Sequence, residues 1–79
     1  MYETRLFNVE ELEEALVQKT LEEVYDALEE RGYNPINQLV GYLLSGDAGY
    51  ISSYKGSRKK ITELDRAKII ESLLKKYIK

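Results

Sequence analysis

Residues 34–46 read NPINQLVGYLLSG, and they carry the clearest structural signals in the chain. Asn34 is a good helix N-cap, because its side-chain oxygen can accept from an orphan amide of the first turn. Pro35 falls at the first helical position, where its missing N–H costs nothing and its fixed φ suits the helix. Gly46 stops the helix, since glycine readily takes the left-handed conformation of a C-terminal cap. Between these signals Ile36, Leu39, Val40, Leu43 and Leu44 follow at helical spacing, and Tyr42 carries the apolar surface further round the cylinder. A helix apolar on most sides is buried on most sides. A chain of 79 residues has little other protein to cover it. A second copy is the natural cover, so the reading predicts a homodimer whose interface includes Ile36, Leu39, Val40 and Leu43.

Upstream, Asn8 is a candidate cap, followed by the acids Glu10, Glu11, Glu13 and Glu14, which suit the positive end of a helix. Two apolar stripes follow, about one residue out of phase. Leu12 and Leu16 form the first; Val17, Leu21, Val24 or Tyr25, and Leu28 form the second. One long helix ending at Arg31 is favoured over two helices broken near Lys19, with Gly32 as its left-handed cap. Residues 1–8 show no period and are expected to be a flexible N-terminal tail, leaving 9–79 as a helical dimerisation domain.

Downstream, residues 46–57 read as a loop with one short helical turn, its tyrosines covering the core or meeting a partner. Thr62, with Asp65 three residues on, is expected to open the last helix. Leu64, Ala67, Ile70, Leu74 and Tyr77 mark that helix's stripe, widened by Ile69, Leu73 and Ile78. The expected class is all-α: a small helical domain of three main helices with a structured loop, forming a homodimer. No strand alternation or internal repeat competes with it.

Composition narrows the chemistry. There is no cysteine and no histidine. Disulfides, thiolate metal sites and the His-based nucleophile systems are therefore out of reach. The glycines fit neither a phosphate-binding lysine loop nor a dinucleotide fingerprint. The EELEE carboxylates read as a solvated face, and Asp47 alone makes no cation site. No catalytic residue, metal ligand or cofactor is assigned. The opening MYETRLFNVEELEE lacks the basic start and apolar stretch of a signal peptide, and no apolar run suits a membrane span. The expected setting is cytoplasmic, without membrane insertion.

Charge is unevenly spread. Residues 1–50 hold three basic and eleven acidic side chains, a net −8; residues 51–79 hold nine basic and three acidic, a net +6. Either the halves neutralise each other within one fold, or a basic face awaits an acidic partner. Lys55, Arg58 and Lys59 are the candidate partner-binding cations. Arg58 follows a Gly-Ser pair in a polar segment, where its guanidinium is expected to be exposed and open to a carboxylate. A small helical nucleic-acid-binding module using the basic 55–68 segment is the alternative. The overall pI of 5.2 counts against nucleic acid.

The block GYNPINQLVGYLLSGDAGYI, residues 32–51, closely resembles the IreB/ReoM family of small Firmicute regulators, whose members carry GYNP-[IV]-NQ-[IV]-VGY-[LV]-LSGDPAY-[IV]-P-R. The similarity runs upstream through VYDALEERGYNP and downstream through SRKKITELDRAKIIESLLKKYIK. The resemblance implies a non-catalytic helical homodimer with a flexible tail, a substrate of a transmembrane PASTA-type Ser/Thr kinase and its phosphatase. It further implies that the unphosphorylated form restrains peptidoglycan synthesis by promoting Clp-dependent turnover of the first committed enzyme, and that phosphorylation supports resistance to wall-active antibiotics. The family's tail threonine maps onto Thr4, within ETRLF. One family arginine maps onto Arg58; the other falls at Ser53. Ala48 stands where the family has proline.

Overall fold

The computed structural model of the chain describes residues 9–78. The proposed cap Asn8, the tail 1–8 and Thr4 lie outside the described residues. Four α-helices follow one another: α1 (Val9–Glu30), α2 (Pro35–Ser45), α3 (Ser57–Thr62) and α4 (Arg66–Ile78). Single 3-10 turns at Ala48–Tyr50 and Tyr54–Gly56 join α2 to α3, and there is no strand among the described residues.

Helix α1 passes through Lys19 without a break, as the favoured reading required. It ends in paired reverse bonds, Gly32 N to Glu29 O and Tyr33 N to Leu28 O, with Gly32 at φ 89°. That geometry needs a residue tolerant of the left-handed region, which glycine is. Of the two apolar phases on α1, only the second faces the core: Val17, Val24 and Leu28 are buried, while Leu12 and Leu16 are exposed.

The punctuation of α2 is as read. Asn34 Oδ1 accepts from Asn37 N at 3.1 Å. Gly46 takes φ 78° and its N–H reaches Tyr42 O. Full burial of α2 does not follow, however. Tyr42 is buried and Leu39 and Leu43 are partly so, but Ile36, Val40 and Leu44 are exposed. One chain of this size has elements enough to cover only one side.

The loop is built by side chains. Ser45 Oγ accepts from Asp47 N, Asp47 Oδ1 accepts from Gly49 N, and Gln38 Oε1 accepts from Ser52 N at 3.0 Å. The chain then turns through two left-handed residues, Lys55 (φ 54°) and Gly56 (φ 74°). That turn launches a helix where three main helices had been expected to suffice. Thr62 does not open the last helix. It closes α3, donating to the carbonyls of Arg58 and Lys59. Asp65 caps α4 instead, its Oδ1 accepting from Ala67 N at 2.9 Å. A Ser/Thr-x-x-Asp spacing does not decide between the two, because Asp65 is itself a good cap.

Helices α3 and α4 both pack on α1. The core gathers Val17, Val24 and Leu28 of α1 with Tyr42, Ile51, Ile61 and Ile69. On α4 the expected stripe is reversed. Ile69 and Ser72 are buried, whereas Ile70, Leu74 and Tyr77 point outward. Either face of this helix is apolar enough to be inner, and contact with α1 selects the one holding Ile69.

At Gly41 a Cβ would collide with Cδ1 of Tyr50, so the ring lies on the bare helix backbone. Gly41→Ala is expected to destabilise the fold by about 1–3 kcal/mol through this overpacking. In a Tyr50→Ala background the same change should become neutral or stabilising by up to about 1 kcal/mol, since alanine is the better helix former. Urea unfolding of the four proteins in this cycle checks it.

Candidate functional site

Two surfaces outside the core merit a functional reading. The first lies where the end of α1 meets the turn before α3. Lys55 Nζ is 2.8 Å from Glu30 Oε1, and Tyr54 Oη donates to Glu30 Oε2 at 3.3 Å. The Arg31 guanidinium stands 5.0 Å from the Tyr54 ring centroid and Lys55 Nζ 5.7 Å from it. Cations at such distances are attracted by the ring face. Glu30, Arg31, Tyr54 and Lys55 therefore form one exposed patch.

Of the three candidate cations, Lys55 is thus tied to α1. Arg58 is exposed, and its Nε donates to Ile51 O at 2.8 Å. The expected fully open guanidinium is corrected to one anchored by a backbone bond, which holds α3 to the loop. Among the described residues no ion pair involves Arg58 or Lys59. Tyr54 is one of the loop tyrosines expected to cover the core or meet a partner, whereas Glu30 and Arg31 were missed by sequence reasoning. Arg31 was visible only as the last residue of a helix pattern, and nothing local ties residue 30 to residue 55.

The charge asymmetry is largely resolved inside the fold. Lys60 pairs with Glu23, Lys68 with Glu13 and Lys75 with Glu14, at 3.5, 3.6 and 3.7 Å. The acids near the start of α1 are therefore not all a purely solvated face. No group of three or more acids suited to a metal ion occurs among the described residues. No described helix is long and apolar enough to cross a membrane.

The second surface is an apolar groove of about 540 Å³ between α1 and α2. The structure brings Ile36, Leu39, Val40 and Leu43 of α2 together in its lining, with Leu21, Glu22, Tyr25 and Asp26 of α1 and Leu73 of α4. The α2 residues were legible from spacing; Leu73 was not, because α4 lies far away in sequence.

The Lys55 ammonium, by hydrogen bond and then by charge, holds the Glu30 carboxyl below its ordinary value, and Glu30 holds Lys55 above its own. A lowered carboxylate stabilises the fold fully above its unfolded value, and that contribution fades as pH falls through the folded value. A raised lysine contributes fully below its unfolded value and fades as pH rises through the folded one. Both groups are exposed, so the effect should be small and sensitive to salt. In an NMR titration of the Glu30 carboxyl, Lys55→Met should return the midpoint upward toward the ordinary glutamate value. An unchanged midpoint would show that the pair does not form in solution.

The description of the family whose model matches the chain is "IreB regulatory phosphoprotein". The family model matches residues 2–79, nearly the whole length. The chain belongs to the IreB family of regulatory phosphoproteins.

Proposed function

We propose that the protein is a non-catalytic cytoplasmic adaptor, switched by phosphorylation of Thr4, that restrains peptidoglycan synthesis by promoting Clp-dependent proteolysis of an early pathway enzyme. The observation that carries this reading is the family match, whose range includes Thr4. A PASTA-type Ser/Thr kinase and its phosphatase are the proposed writers and erasers. Phosphorylation adds roughly −1.5 to −2 charges, enough to change which surface the segment before α1 meets. Lys55, Arg58 and Lys59 are the proposed contacts to the proteolytic machinery or its adaptor. The exposure of Arg58 and Lys59 supports that assignment.

The proposed assembly is a homodimer formed through the α1–α2 groove. Support comes from the exposure of Ile36 and Val40, at 56% and 48%, since apolar residues gathered along one groove are the usual mark of an interface. Sedimentation at micromolar concentration should show a dimer. Leu43→Asp should weaken it by several kcal/mol, on the order of the cost of burying an unpaired charge. A stable wild-type monomer overturns the assembly.

The switch is tested by mass spectrometry and cell-wall antibiotic tolerance together. Thr4→Ala should abolish kinase-dependent modification and lock the restraining form, lowering tolerance. Arg58→Ala should relieve restraint while circular dichroism still shows the helical fold. Unaltered modification in Thr4→Ala would remove Thr4 from the mechanism. Loss of fold with retained partner binding would make Arg58 structural.

A further inference from the structure

The end of α1 and the turn before α3 already hold a carboxylate. Glu30 is the last residue of α1, and both of its oxygens are engaged from the turn. Lys55 Nζ reaches Oε1 at 2.8 Å, and Tyr54 Oη donates to Oε2 at 3.3 Å. The backbone bends to allow it. Lys55 takes φ 54° and ψ 29°, in the left-handed region that a residue with a Cβ rarely adopts. Among the described residues it is the only non-glycine there. A glycine would make this turn more easily, so what the lysine adds is its side chain. Backbone strain of this kind concentrates at contact sites.

The neighbouring cations are open. The Arg31 guanidinium lies 5.0 Å from the Tyr54 ring centroid and has no ion pair among the described residues. In the first turn of α3, Arg58 is fixed by its Nε bond to the Ile51 carbonyl, and its terminal amino groups make no bond among the described residues. A guanidinium held by Nε presents those two groups in a set direction, which suits the two oxygens of a carboxylate. Glu30 itself is held loosely. The Glu30 and Lys55 side chains are 52% and 56% exposed, so another carboxylate in solution can replace Glu30. The tail of the same chain falls short. Val9–Glu30 is about 31 Å of helix, whereas the five residues from Thr4 to Val9 span at most about 17 Å. Nor is this the broad basic face that a nucleic acid needs. What fits is a carboxylate from another protein.

We propose that Arg31, Tyr54 and Lys55 form a docking site for an acidic segment of a partner protein, and that Glu30 occupies it in the free chain as an internal stand-in. On docking, a partner carboxylate takes the place of Glu30 on the Lys55 ammonium and the Tyr54 hydroxyl, and Glu30 turns into water. Arg31 and Arg58 receive neighbouring carboxylates of the same segment. Tyr54 adds ring area, tyrosine and arginine being frequent anchors of interfaces. This rests on the partner surface proposed above, extends it by Arg31 and Tyr54, and gives it an internal competitor. Glu30 lowers the apparent affinity by the fraction of chains in which it holds the site.

The test is an NMR titration of the full chain with a short peptide of Glu, Asp and Gly, and with a matching peptide carrying Lys in place of the acids. Shifts caused by the acidic peptide should centre on Arg31, Tyr54 and Lys55. Glu30→Gln should tighten binding ~2–5-fold, since it releases Lys55 while keeping the shape of the side chain. Arg31→Ala and Lys55→Met should each weaken binding by a similar factor, with circular dichroism unchanged. If the pair only braces the turn, Glu30→Gln leaves binding unchanged or weaker, and that result overturns the stand-in. Shifts centred elsewhere, no saturable binding, or equal binding of the basic peptide overturn the site. Two further probes are a short DNA duplex and a phosphothreonine peptide of residues 2–7, YETRLF. Tighter binding of either at the patch overturns the acidic-protein occupant. Arg58→Ala separates the proposal from the reading it rests on. Loss of binding in Arg58→Ala without tightening in Glu30→Gln overturns the stand-in and leaves the Arg58 surface standing. Tightening in Glu30→Gln with binding retained in Arg58→Ala supports the site at Arg31, Tyr54 and Lys55 and removes Arg58 from the surface.

Discussion

Everything in this chain hangs on one stripe of α1. Val17, Val24 and Leu28 lie on a single face, and the turn residue Ile51, α3 through Ile61 and α4 through Ile69 close over it. Burying a side chain of this kind contributes roughly 1.5–3 kcal/mol. With eight buried hydrophobic side chains among the described residues the core is small, and a domain of this size leaves roughly 40% of its unfolded surface in water. The long helix is what makes so small a core possible. It offers six turns of continuous surface, and the shorter elements need only lean on it.

That same economy explains the open surfaces. Helices α2 and α4 are each apolar on two sides, but α1 can cover only one side of each. Tyr42 and Ile69 face inward, while Ile36, Val40, Ile70 and Leu74 remain outside. Surface-to-volume scaling leaves a small domain no further layer to add. The outward residues are not scattered. Ile36 and Val40 gather with Leu73 in the α1–α2 groove, and Leu74 lines a second hollow with Glu14 and Gln18 of α1.

What could be read beforehand follows from range. The caps at Asn34, Pro35 and Gly46 and the stop at Gly32 are local chemistry, so three or four residues sufficed to place them. The second stripe of α1 was legible as a pattern, yet its rank over Leu12 and Leu16 was not, because only packing partners decide which phase turns inward. The division between α3 and α4 was hidden by two equally good capping residues, Thr62 and Asp65. The inner face of α4 was hidden by having two apolar faces. At the polar patch, the cations were visible as a run, but their anchors were not. Glu30 lies 25 residues from Lys55, and the Ile51 carbonyl that holds Arg58 belongs to the backbone and carries no sequence signature.

The ion pairs between α1 and the basic half raise the question of what holds what. Lys60–Glu23, Lys68–Glu13 and Lys75–Glu14 are all long and all about half exposed. Each such pair contributes less than about 1 kcal/mol and weakens with salt. Burial of Ile61 and Ile69 alone outweighs two of them. The pairs therefore do not hold the helices together; the stripe does. Their effect lies in charge balance and register. Helix α1 carries its acids along both flanks of the stripe, and a helix sliding along it would bring its lysines out of step. Pairing Lys55, Lys60, Lys68 and Lys75 with acids of the same fold also weakens the long-range field of the basic half. Arg58, Lys59, Arg66 and Lys76 remain outside ion pairs among the described residues. So few cations on an acidic protein suit a local contact with a carboxylate better than the long-range attraction of a polyanion, for which a broad basic face is needed.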